Sequence, residues 1–171
     1  MQETYTENII EVLKNKNRLQ KQLNVKLTNK GKNIFIEGKP EDEFLALEVI
    51  NAITFGFSTN KSLRLKNEGM MLQTLNIKDI TKRNDLERVR ARIIGKYGKT
   101  LKTLNNLTNC ELSLHNNFIG IIGDAEDIDD AVQALTSLIH GSKQGNVYSR
   151  LERHKKEKRL DEKIPIKNEL E

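Results

Sequence analysis

The stretch Arg90-Ala-Arg-Ile-Ile-Gly-Lys-Tyr-Gly-Lys-Thr-Leu-Lys-Thr-Leu104 constrains this chain most, because it sets a Gly-Lys-Tyr-Gly turn (Gly95 to Gly98) between two short amphipathic helical patterns. Ile93 and Ile94 precede the turn, and Leu101 and Leu104 follow it at a helical spacing of three. A Gly-x-x-Gly turn brings backbone close to another chain with no Cβ in the way, and it offers amide donors at a helix N-terminus to phosphate oxygens. The motif is short, and standing alone it reads as a plain helix-to-helix turn. Its neighbours decide.

Upstream, Leu72-Gln-Thr-Leu-Asn-Ile77 reads as a strand, and Leu86, Val89 and Ile93 line a helix. Downstream, Cys110-Glu-Leu-Ser-Leu-His115, the Asn116-Asn117 turn and Phe118-Ile-Gly-Ile-Ile122 read as a β-hairpin. After Gly123-Asp124, the residues Ile128, Ala131, Val132, Leu135, Leu138 and Ile139 mark one face of a helix whose acidic start suits the positive end of the macrodipole. The order β-α-(Gly-x-x-Gly)-α-β-β-α resembles a type I KH domain, whose clamp loop holds about four nucleotides of a single strand. That resemblance makes Gly95, Lys96, Tyr97, Gly98, Lys99 and Lys102 the expected clamp. It also implies an apolar strip of Ile94, Leu101 and the Leu112-Ser113-Leu114 strand under the bases, with Arg90 and Arg92 on the backbone side.

Charge points the same way. The chain carries +5 overall, but residues 82–102 hold eight bases (Lys82, Arg83, Arg88, Arg90, Arg92, Lys96, Lys99, Lys102) against two acids. Residues 103–149 hold one base against six acids. Positive charge is thus gathered around the glycine turn, as an electrostatic footprint for a polyanion would be. Residues 150–159 carry six bases and two acids, so residues 146–171 are expected to form a basic C-terminal arm able to reach nucleic acid. Cys110 is the lone cysteine, which excludes an intramolecular disulfide and fits a small buried hydrophobe in a reducing, cytoplasmic interior. No apolar run approaches the length of a membrane span, and Met-Gln-Glu-Thr-Tyr-Thr-Glu7 lacks the charged start and apolar core of a signal peptide. His115, His140 and His154 are scattered and no carboxylates show metal-ligand spacing, so neither an enzyme nor a cofactor is expected.

The first half repeats the pattern in weaker form. Ile9, Ile10, Val12, Leu13, Leu19 and Leu23 look helical; Asn24–Thr28 and Asn33–Glu37 read as strands about Gly31; Phe44, Leu47, Ile50, Ile53 and Phe57 mark a second helix. Gly38-Lys-Pro-Glu-Asp42 echoes Gly123-Asp-Ala-Glu-Asp127, which suggests an internal repeat. Gly31 is the first glycine of the chain, so this unit has no Gly-x-x-Gly. The expected fold is α+β: two tandem type I KH-like units, β-α-α-β-β-α, each with a three-stranded antiparallel sheet. Residues 1–65 form the degenerate unit and 66–145 the clamp-bearing one. Phe57, Leu63, Leu65, Met70 and Met71 are too many apolar residues for a free connector and are expected between the halves.

Most of the chain resembles the two-KH small-subunit ribosome assembly factors, the partner-of-Nob (Pno/Dim) family, in its archaeal form. The resemblance rests on Arg92-Ile-Ile-Gly-Lys-Tyr-Gly-Lys99, Leu107-Thr-Asn-Cys-Glu-Leu-Ser113, Ile121-Ile-Gly-Asp124, Gly145-Asn-Val-Tyr148 and the connector Gly56-Phe-Ser-Thr-Asn-Lys-Ser-Leu-Arg-Leu65. It implies a non-enzymatic single-stranded RNA-binding protein on the 3′ end region of small-subunit rRNA. It also implies contact with the endonuclease that trims that end and with a translation initiation factor. The alternative is a KH-fold RNA-binding adaptor in another complex, exosome-like or translation-related.

Overall fold

Leu27, Ile34 and Ile36 alternate with more exposed neighbours, and in the computed structural model, which describes residues 1–163, they face a layer of helices. The first half comprises β1 (Gln2–Tyr5), α1 (Ile9–Lys14), α2 (Lys16–Leu23), β2 (Lys26–Lys30), β3 (Asn33–Glu37), α3 (Pro40–Thr54) and α4 (Thr59–Ser62). A 3-10 turn at Leu63–Lys66 leads to the second half. There follow β4 (Met71–Asn76), α5 (Ile77–Ile80), α6 (Leu86–Ile94), α7 (Lys99–Thr108), β5 (Glu111–His115), β6 (Phe118–Gly123), α8 (Ala125–Ile139) and α9 (Gln144–Asp161). Both sheets are antiparallel with the last strand in the middle, β1-β3-β2 and β4-β6-β5. The chain therefore adopts the expected α+β class, with β-α-α-β-β-α twice over.

Local chemistry sets the element ends. Asn24 and Asn109 close α2 and α7 in the left-handed conformation that Asn tolerates. Asp124 caps α8, its Oδ1 accepting from the Asp127 amide at 2.9 Å, while Pro40 opens α3 at its first turn. Several boundaries differ from expectation. The first strand of the first unit has no residues assigned to it by pattern, because Gln2–Tyr5 shows no apolar alternation; its pairing with β3 alone makes it a strand. The first helical stretch breaks only at Asn15, and the strand expected at Asn24–Thr28 runs from Lys26 to Lys30.

The two sheets have different surroundings. One face of the second sheet (Leu112, Ile119 and Ile121) packs on α6, α7 and α8 with Val89, Ile93, Leu104, Leu135 and Leu138. The opposite face carries Leu72, Ser113, Gly120 and Ile122 and is covered by the first half: Ile122 and Leu72 join its core. Phe57 is buried over Gly120, and Phe55 lies 6.2 Å from Phe118, ring centroid to ring centroid. Polar contacts rim the seam: Ser113 Oγ donates to the Phe55 carbonyl at 2.9 Å, Lys61 and Arg64 each approach Glu111 to 2.9 Å, and His115 meets Glu7 at 3.1 Å. A strand covered on both faces has no need to alternate, which explains the Ile-Gly-Ile-Ile run of β6. Of the connector residues expected at the seam, Phe57, Leu63 and Leu65 are buried and Met70 packs against the first core. Met71 is the exception. It opens edge strand β4 and stays 46% exposed.

Residues 146–163 are not a free arm. Val147 and Leu151, one helical turn apart on α9, are buried against α7 and α8. Lys158 reaches Asp130 at 2.9 Å and Asp127 at 3.4 Å. Partial burial disfavours the Lys158 ammonium, but the bonds to Asp130 and Asp127 outweigh it and raise its pKa. Residues 164–171 of the expected arm lie outside the described residues. Cys110 is buried, and desolvation pushes its thiol up to about 12, so it packs as an inert small hydrophobe. No helix among the described residues is long and apolar enough to cross a membrane.

Candidate nucleic-acid interface

The loop between α6 and α7 holds three residues at positive φ, Gly95, Tyr97 and Gly98, and its two glycines are needed for different reasons. Gly95 has φ +74° and ψ 175°, a region closed to side chains. A Cβ there would lie 2.1 Å from Thr100 Oγ1 and 2.8 Å from the Thr100 amide nitrogen. Gly98 has φ +73° with nothing within 4 Å of its would-be Cβ. Gly95→Ala is therefore expected to displace the loop from Thr100 and cost about 2–3 kcal/mol, whereas Gly98→Ala costs about 1 kcal/mol of backbone strain. Chemical denaturation of the two variants checks the inequality; equal losses would contradict it.

Between the glycines, Tyr97 sits at φ 55°, ψ 30° with its side chain 90% exposed, and the Lys96 ammonium lies 5.6 Å from the ring centroid. Lys96, Lys99 and Lys102 are exposed, and α7 begins at Lys99 with no side chain capping its first amides. The result is an open helix N-terminus framed by three ammonium groups, which suits anionic oxygens.

Beside the loop runs a shallow depression of about 310 Å³ lined by Arg90, Ile94, Leu114 and Asn116. Ile94 is 39% exposed, unusual for an isoleucine flanked by core residues, and Leu101 and Leu114 are half-buried. Arg90 donates to Asn117 Oδ1 at 3.1 Å, which aims its guanidinium at the hairpin end of the depression. An apolar floor with arginine on one wall and lysines at the loop suits stacked bases and their phosphates.

Not all the expected contacts meet there. Ser113 alternates to the opposite face of the sheet, where it bonds Phe55 across the seam, and Leu112 is buried in the core. Arg92 points to the far side of α6, donating to the carbonyls of Gly141 and Ser142. Two residues were missed. Asn116 lines the depression from a tight turn read only as a hairpin connection, and Gln144 supports the loop from behind, donating to Thr100 Oγ1 at 2.9 Å. Gln144 directly precedes Gly145-Asn-Val-Tyr148, so that motif serves to seat α9 against the loop.

A family model for the second KH domain of PNO1, described as a eukaryotic-type KH domain (KH-domain type I), matches residues 71–156. The structure is similar to that of Dim2p from Pyrococcus horikoshii OT3, solved in a complex of a/eIF2alpha, aDim2p and rRNA, with a TM-score of 0.83 and 31% identity over 91% of this chain and 95% of that one. A KH domain-containing protein of Methanocaldococcus jannaschii is 29% identical over 82% of this chain and 65% of its own length. The pre-rRNA-processing protein PNO1 of Eremothecium gossypii is 37% identical over 61% of this chain and 40% of its own length. The chain thus spans less than two-thirds of the curated relatives it matches. The match to the PNO1 model and the cover of almost the whole Pyrococcus chain place this chain in the Pno/Dim family of tandem KH-domain proteins.

Proposed function

We propose that this chain binds single-stranded RNA through its second unit, and that the bound strand is the 3′ end region of small-subunit rRNA during ribosome biogenesis. The observation that carries this reading is the loop at Gly95–Gly98, exposed and cationic, opening onto the half-apolar depression of Ile94 and Leu114. The site residues of the proposal are Arg90, Ile94, Gly95, Lys96, Tyr97, Gly98, Lys99, Lys102, Leu114 and Asn116. The identity of the RNA rests on kinship: the Pyrococcus relative is a protein of an rRNA complex, and the Eremothecium relative is named for pre-rRNA processing.

The role is binding without catalysis, in the cytoplasm. Each histidine has a local partner: His115 faces Glu7, His140 meets the Ile80 carbonyl, and His154 pairs with Asp130. The first unit has no loop to offer a strand. Where the second unit has its glycine turn, α1 meets α2 across Asn15 alone, whose Nδ2 donates to the Glu11 carbonyl at 3.0 Å. That unit supports the second, and its free surface is open to protein partners, namely an initiation-factor α subunit and the trimming endonuclease. Crosslinking in cells followed by sequencing of the bound RNA tests the reading. Enrichment at the 3′ end of small-subunit rRNA is expected; enrichment of messenger RNA would point to the adaptor alternative and overturn it.

A further inference from the structure

The faces of α6 have different surroundings. Arg90 and Ile94 turn to the depression described above, and Val89 and Ile93 to the core. Arg88 and Arg92, one turn apart, stand on another side. With Arg83 they rim a second cavity of about 350 Å³, floored by Val89, Leu138 and Ile139. No carboxylate among the described residues lines it. Asp85, bound by Arg83 through two hydrogen bonds of 3.0 and 3.2 Å, neutralises one of the three guanidinium groups. Arg92 is held by the uncharged carbonyls of Gly141 and Ser142, and exposed Arg88 has no ion pair among the described residues.

Guanidinium groups that rim a small concavity match the oxygens of a phosphate, which they can bind in pairs. The position also matters. Arg92 lies three residues before Gly95, and Arg88 about 10 Å from it along the helix axis at about 1.5 Å per residue. A strand leaving the glycine loop around the end of α6 therefore meets this side next. An acidic peptide would satisfy the same charges, but nothing in the fold brings a protein strand past them, whereas the clamp brings RNA to the end of the same helix.

We infer that the cavity between Arg83, Arg88 and Arg92 is a second backbone-phosphate site, taking a phosphate of the same RNA outside the four nucleotides of the groove. This rests on the RNA-binding reading above. It makes α6 a post around which the strand bends, gripped on both sides.

The test compares the full chain with an Arg83→Gln/Arg88→Gln variant and with Arg88→Gln alone. Both side chains are exposed, and Arg92 is left intact because it secures the turn between α8 and α9. Affinities are measured for a four-nucleotide RNA and for the same RNA extended at both ends, across a salt series. The double variant should bind the short RNA like the parent, but lose about three- to tenfold on the extended RNA, with the salt slope falling by about 0.7 for one lost phosphate contact. Arg88→Gln alone should lose part of that. An equal loss on both lengths would show diffuse attraction and no site; no loss on either would show that the cavity takes no RNA phosphate. Either result overturns the inference while leaving the clamp standing. A parent chain that binds neither RNA would overturn the clamp as well.

Discussion

Phe57→Ala should cost the whole chain about 3–5 kcal/mol and lower its melting temperature by roughly 10 °C. Phe57 follows Gly56, whose φ of +92° turns the chain off the end of α3, and its ring is 2% exposed. It packs close against backbone: a Cβ on Gly120 would stand 2.6 Å from Phe57 Cε2 and 3.4 Å from the Phe55 Cβ. The space left by the ring is walled by strand β6, which carries Gly120 and Ile122 and cannot move in without breaking the sheet, so the cavity stays open. Phe57 belongs to the core of the first half and packs on Gly120 of the second sheet, so both halves should unfold in one transition that shifts as a whole. Thermal melts followed by far-ultraviolet circular dichroism check this. A variant that melts with the parent, or in two separate steps with the second unchanged, would show that the halves are stabilised independently.

Most of this architecture was legible in the residues, and the parts that were not share a cause. Helices with a strong apolar face, such as that carrying Ile128, Leu135 and Leu138, and the hairpin around Asn116-Asn117 follow from periodicity that any tertiary setting preserves. Strand β1 has no such pattern, since its residues are polar on both faces and only the open edge of β3 recruits them. In α9 the apolar signal shrinks to Val147 and Leu151 within a run of bases, and it resembles a solvated arm until α7 and α8 are in place. The site shows the same divide. The glycine loop is local, and its φ values could be inferred from the two glycines. Which way Ser113 and Arg92 face depends on pleat and helix phase measured from neighbours that the sequence does not order in space. The Phe118–Ile122 run did carry a further message: an unalternating strand at a hairpin end has both faces covered, and that would have placed Ser113 away from the groove.

If the Gly95–Gly98 loop is the grip on RNA, changing Lys96 and Tyr97 together to Asp should release the strand. Both side chains project from the loop, and Asp tolerates the left-handed backbone of position 97 better than Tyr does. The double variant should therefore fold like the parent and melt at the same temperature. It places two carboxylates where phosphate oxygens should approach, removes the Lys96 ammonium and the Tyr97 ring, and leaves the groove of Ile94 and Leu114 untouched. Loss of one phosphate contact together with like-charge repulsion should weaken binding of a short single-stranded RNA by about a hundredfold, close to 2.7 kcal/mol. The measurement is the equilibrium affinity of parent and variant for that RNA at fixed salt. A hundredfold loss with the fold retained is expected; a variant that binds as tightly as the parent would show that the loop does not hold the RNA.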